Sequence, residues 1–150
     1  DGIATSVVAA SLVAVLKAQG RSVWDELERL ARLHGLHVSS PLTFRVEEIE
    51  QIANGMARLR AQPPSVLAGS PVVEVSDLSQ GYCGLPPTDG VLVLTEAGDR
   101  VIARPSGTEP KLKCYLEVIL PVAEGEPLPW EQARERLDAI KGAFAEIIGL

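Results

Sequence analysis

The sequence predicts an α+β fold, an antiparallel sheet with helices on one face, and three observations carry that expectation. Short strand patterns follow one another at Val72–Val75, Val91–Thr95, Arg100–Arg104 and Lys111–Leu120. Glu96-Ala97-Gly98-Asp99 reads as a hairpin turn between the second and third of them. Two stretches, Glu47–Arg60 and the C-terminal segment from Pro129 or Trp130, place apolar residues at helical spacing. Helices with one apolar stripe, packed on one face of such a sheet, give this arrangement.

Each element has its own justification. Residues 3–16 are apolar except for Thr5, Ser6 and Ser11. The run is too short to span a bilayer and ends at Lys17. It also lacks the basic leading segment of a signal peptide. A helix apolar all round is normally buried on all sides. Residues 1–20 are therefore expected to pack against another copy of the chain, or to leave an exposed patch prone to association. Ser22 reads as the N-cap of a helix over Val23–His34, with Trp24, Leu27, Leu30 and Ala31 on one face and Gly35 as its stop. Ser39–Val46 is extended, holds Pro41, and reads as a crossing between domains. The Glu47–Arg60 helix shows Ile49, Ile52, Ala53, Met56 and Leu59, and Pro63-Pro64 ends it. Gln80–Asp89, with two glycines and two prolines, reads as a loop. The last helix carries Trp130, Ala133, Leu137, Ile140, Phe144 and Ile147.

Composition limits the function. A chain of 150 residues buries roughly two-thirds of its unfolded surface, enough for one core. A net charge of −6 argues against a nucleic-acid or anionic-membrane partner, either of which needs a clustered basic excess. A cytoplasmic location is expected. Cys83 and Cys114 could pair, but two cysteines make no disulfide framework, and Cys114 falls on an apolar strand face as a small core residue. His34 and His37 flank Gly35 without a third ligand nearby, so they read as linker residues rather than a metal pair. Glu47, Glu48 and Glu50 suit the start of a helix, where the dipole favours them. Tyr82 and Trp130 could stack on a sugar, with a core role the better reading for Trp130.

The chemistry concentrates in Arg104-Pro105-Ser106-Gly107-Thr108-Glu109-Pro110-Lys111-Leu112-Lys113. A phosphate dianion needs fixed positive charge, small donors and inward-turned backbone N–H groups, and this stretch supplies all three. Arg104 offers a planar fork, Ser106 and Thr108 short hydroxyls, and Gly107 a backbone without a Cβ in the way. Ser106-x-x-Glu109 also fits a capping box. Against that, Pro110 interrupts and a strand pattern begins at Lys111, so there is no helix to cap. In that strand Leu112, Cys114, Leu116, Val118 and Leu120 share the apolar face, and Lys111, Lys113, Tyr115 and Glu117 share the other. Arg100, Ile102 and Arg104 share a face of the preceding run, so Arg104 and Lys113 are expected to converge on an anion at the loop. Lys111 is better read as a solvated charge.

Arg-Pro-Ser-Gly-Thr-Glu-Pro followed by a lysine-bearing strand resembles the C-terminal phosphate-binding loop of the α-D-phosphohexomutases, the phosphomannomutase and phosphoglucomutase superfamily. Asp1-Gly2-Ile3-Ala4 opening an apolar helix resembles the end of that family's third domain, and His34-Gly35-Leu36-His37 the segment leading to the fourth. The resemblance is strongest over residues 99–118 and weakest over 63–90. It implies that residues 1–38 are C-terminal helices of the preceding domain and residues 39–150 the C-terminal phosphate-binding domain, with a fold like that of the TATA-binding protein. The substrate-phosphate site implied is Arg104, Ser106, Gly107, Thr108 and Lys113, the last standing where many relatives carry arginine.

The activity implied interconverts hexose 6-phosphate and hexose 1-phosphate, most similarly to phosphomannomutases, through a phosphoserine and a bisphosphate intermediate. Mg2+ and a hexose 1,6-bisphosphate activator are implied for the intact enzyme. The family's Thr-Ala-Ser-His-Asn-Pro-like catalytic loop and its sugar-selecting Gly-Glu-Glu-Ser-Gly are absent from these residues. The aspartates Asp1, Asp25, Asp77, Asp89, Asp99 and Asp138 never fall two apart, as the metal loop requires. The chain is thus expected to be a C-terminal fragment, inactive alone, with no catalytic or metal-ligating residue of its own. The other readings are a non-catalytic phosphate-binding or dimerisation module, and a structural domain with an ordinary turn at 104–110.

Overall fold

The computed structural model describes residues 1–149. The chain divides into two compact units, one formed by Asp1–Leu36 with Pro121–Pro129, the other by His37–Leu120 with the segment from Trp130.

The first unit contains α1 (Gly2–Ala18) and α2 (Val23–His34). Asp1 caps α1, its carboxylate accepting the N–H of Ile3 at 2.8 Å and of Ala4 at 3.3 Å. The hydroxyls of Thr5, Ser6 and Ser11 donate to the carbonyls four residues earlier, which is how a helix absorbs these polar side chains. Of α1 only Leu16 is buried, and Ile3 is 82% exposed. In α2, Ser22 and Asp25 form a capping box, and Gly35 ends the helix at φ +93°, a conformation that favours glycine. Glu26 is pulled down to about 2, first by its hydrogen bonds from Arg29 and then by Arg21. Of the apolar face read in α2, Ala31 is buried while Trp24, Leu27 and Leu30 are exposed. Arg32 donates to the carbonyls of Ala123 and Glu126, tying the 121–129 segment to this helix.

The second unit is a six-stranded sheet with two helices. Its strands are β1 (Leu36–Arg45), β2 (Val66–Leu67), β3 (Ser70–Asp77), β4 (Val91–Thr95), β5 (Arg100–Pro105) and β6 (Lys111–Leu120), in the order β1-β6-β5-β4-β3-β2. The β2–β3, β3–β4, β4–β5 and β5–β6 pairs are antiparallel. His37 lies by Glu117, and the Val46 N–H reaches the Pro110 carbonyl, so β1 also runs against β6. The extended segment from Ser39 is thus an edge strand, a position that tolerates Pro41.

Helices α3 (Ile49–Ala61) and α4 (Trp130–Ile148) complete the unit. From α3, Ile52, Met56 and Leu59 are buried; Ile49 is exposed. From α4, Ala133, Leu137, Ile140, Phe144 and Ile148 are buried, with Ile148 rather than Ile147 closing the stripe and Trp130 left 44% exposed. These side chains fill the core with Val101, Ala103, Leu112, Cys114, Leu116 and Val118 of the sheet. Cys83 and Cys114 are both free thiols, one exposed and one buried.

Two arginines fix the connections. Asp99 ends the β4–β5 turn with no exposed surface, and Arg136 of α4 grips both of its oxygens at 2.7 and 2.8 Å. Gly98, at φ +85°, lets that four-residue turn close. Arg60 of α3 bridges Asp77 and Asp89, pinning both ends of the 78–89 loop, which includes a short 3-10 turn at Leu78–Gln80.

Candidate functional site

The loop between β5 and β6 sits over the sheet face that the helices leave open. The register pairs Arg104 with Lys113, Ile102 with Tyr115 and Arg100 with Glu117. Successive rows on this face differ in kind. Arg100 is neutralised by Glu117 at 2.7 Å, with His37 Nδ1 at 3.5 Å from the same carboxylate. The next row is apolar and aromatic. The row nearest the loop holds two cations, and neither Arg104 nor Lys113 has an acidic partner within 4.0 Å among the described residues.

The loop itself is a tight return. Ser106 donates its N–H to the Lys111 carbonyl at 2.8 Å, and Lys111 donates to the Glu109 carbonyl at 2.7 Å. No helix follows Ser106, so the capping-box reading has nothing to cap. The N–H groups of Gly107, Thr108 and Glu109 donate to no other described residue and remain available to a ligand. Gly107 has an ordinary φ, and a Cβ there would meet nothing within 4 Å. The fold does not require glycine at this position; a side chain would only fill space in front of the loop.

Arg104, Pro105, Ser106, Gly107, Lys113 and Tyr115 line a half-open hollow of about 190 Å3. Four of the five residues singled out in the sequence therefore line one pocket. Thr108 is exposed on the loop and is not among the lining residues. Lys111 is paired with Glu109, whose carboxyl it holds below the usual range, with smaller contributions from Lys113 and Arg45. Arg45, at the end of β1, is a cation near the loop that the sequence did not mark.

Tyr115 is the lining residue to which sequence reasoning assigned no role. The signal was present: it lies two residues beyond Lys113, on the same strand face. Of the two aromatics considered for a sugar, Tyr82 pairs through its backbone with Leu85, Trp130 opens α4, and neither lines this pocket. A wider hollow of about 340 Å3 lies where the Ala68–Pro71 turn meets Glu96, Ala97 and Arg136, but Arg136 is already committed to Asp99. Among the described residues no group of three or more His, Cys, Asp or Glu side chains could hold a metal ion. No single described helix is long and apolar enough to cross a membrane.

The family model for the C-terminal domain of phosphoglucomutase/phosphomannomutase matches residues 42–126. A probable phosphomannomutase of Haemophilus influenzae is 37% identical over 118 residues, covering 78% of this chain and 24% of that protein. A phosphoglucomutase of Staphylococcus haemolyticus is 34% identical over 118 residues, covering 69% of this chain and 21% of that protein. Mouse phosphopentomutase is 25% identical across 97% of this chain and 26% of its own length. Among solved structures, the Paramecium phosphoglucomutase parafusin in its open form superposes with a TM-score of 0.60 at 16% identity, covering all of this chain and 28% of that one. The chain thus spans about a quarter of the length of these relatives.

Proposed function

The chain belongs to the phosphoglucomutase/phosphomannomutase family, and from that premise we propose that its β5–β6 loop holds the non-reacting phosphate of a sugar phosphate. One observation carries the reading. Two cations without acidic partners face each other across β5 and β6, beside three backbone N–H groups free to turn toward one anion. In this role Arg104 and Lys113 supply charge, Ser106 supplies its hydroxyl, and the Gly107–Glu109 backbone closes over the oxygens. Thr108 joins through its N–H. Each charge-assisted hydrogen bond contributes about 1.5–3 kcal/mol before ordering costs.

The reaction proposed for the whole enzyme is the interconversion of hexose 6-phosphate and hexose 1-phosphate, of the phosphomannomutase kind. Such a sugar presents its two ends in turn to the reacting group, so the idle phosphate needs one anchor that serves both orientations. Anchoring it positions the distant reacting end, which is where remote binding aids catalysis. Phosphoserine chemistry lies outside these residues, as does the Gly-Glu-Glu-Ser-Gly loop of the family. The described residues offer no donor set for the Mg2+ that the family implies, so none is given a part in metal chemistry. In the same reading residues 1–38 are the end of the preceding domain, which accounts for the apolar surface of α1.

Phosphorus NMR of mannose 1-phosphate mixed with the chain tests the proposal. Binding should broaden or shift the phosphate resonance, and the Arg104→Ala/Lys113→Ala double variant should abolish the effect. An unchanged resonance with the wild-type chain at millimolar concentrations would count against it.

A further inference from the structure

We infer that Tyr115 is a specificity-determining residue of this site, its ring being the surface on which the sugar lies once the phosphate is seated on Arg104 and Lys113. The inference rests on the phosphate reading above and deepens it. Tyr115 shares the Lys113 face, about 6–7 Å further along β6, and sits diagonally from Arg104 across the Ile102 pair. Its side chain is a wall of the cavity and is half exposed. The hollow, about 190 Å3, extends from the Arg104–Lys113 row to Tyr115, beyond the row that an anion alone would occupy.

The rows on this face match the two halves of such a ligand. The anionic head meets the Arg104–Lys113 row. The next row, Ile102 with Tyr115, presents apolar and aromatic surface to the C–H face of a pyranose, while the sugar hydroxyls stay in water. The third row, Arg100 with Glu117 and His37, is already neutralised and offers no second anion site. A half-exposed aromatic between a free cationic row and a neutralised row therefore favours a phosphate carrying a ring over phosphate alone.

The experiment compares affinities of the full chain for inorganic phosphate and for mannose 1-phosphate, in the wild type and in Tyr115→Leu and Tyr115→Phe. Tyr115→Leu keeps apolar bulk against Ile102 and so preserves cross-strand packing. It should weaken mannose 1-phosphate by about 3–10-fold, the usual range for losing one aromatic contact, and leave inorganic phosphate unchanged. Tyr115→Phe should keep both affinities. Equal weakening of both ligands by Tyr115→Leu, or of neither, would overturn the inference while leaving the phosphate reading intact. Failure of the wild-type chain to bind either ligand would overturn both.

Discussion

Arg104 and Lys113 stand directly opposite each other on β5 and β6, and no acidic side chain of the described residues comes within 4.0 Å of either. Like charges directly opposite each other across an antiparallel pair destabilise it. The same pairing two rows away is a salt bridge, Arg100 with Glu117 at 2.7 Å, so the strands accommodate opposite charges readily. The phosphate proposed for this loop would relieve that repulsion and take up the free N–H groups beside it.

Removing one charge should therefore separate stability from binding. Arg104→Ala should leave the melting temperature in phosphate-free buffer unchanged or slightly raised, since Arg104 is exposed and unpaired. The same variant should lose hexose 1-phosphate affinity by about 10-fold or more, the scale of one charge-assisted contact. Scanning calorimetry and titration calorimetry on one preparation read both effects.

Gly107 gives a second separation. Because a Cβ there meets nothing, Gly107→Ala should fold with wild-type stability, or marginally better through loss of unfolded-state freedom. If an anion approaches the backbone at this point, the added methyl should still weaken phosphate binding several-fold. Chemical denaturation paired with a phosphate titration checks the two halves.

At the far end of β5, the prediction concerns stability alone. Asp99 is wholly buried and takes two hydrogen bonds from Arg136 and one from the Thr95 hydroxyl. Asp99→Ala would leave a partly buried guanidinium without its partner and should cost about 2–3 kcal/mol, below the range for a fully buried pair. Asp99→Asn, which keeps an acceptor, should cost less. Urea unfolding followed by circular dichroism gives both values.

The two thiols should behave as different species. Burial pushes Cys114 up to about 12, whereas Cys83 is exposed. Iodoacetamide at pH 8 should modify Cys83 alone in the native chain and both cysteines in denaturant, as counted by mass spectrometry. A raised thiol value means that its stabilising contribution is complete below the ordinary value of 9.0 and is lost as pH rises toward 12.

Regular periodicity explains most of what was legible. The alternation in Lys111–Leu120 gave that strand and its buried face residue by residue, and α2, with its Ser22 and Gly35 signals, has the expected bounds. The two-residue β2 is too short to show any period and went unseen. The buried faces of helices were less legible, because Ile147 and Ile148 are both apolar and only the packing of α4 decides between them. At the site, spacing placed Arg104 and Lys113 opposite each other. Thr108 is exposed and not among the lining residues, and loop geometry has no period from which to read that. Tyr115 was legible from the alternation of β6, two residues beyond Lys113, whereas Arg45 comes near the loop from the neighbouring β1, a property of strand order rather than of the loop sequence.

The most direct test is an amide NMR titration of the chain with mannose 1-phosphate, run in parallel on Arg104→Ala. The account predicts saturable shifts centred on Ser106, Gly107, Thr108 and Glu109 that vanish in the variant. The absence of shifts in those amides at millimolar ligand, or shifts that persist unchanged without Arg104, would contradict it.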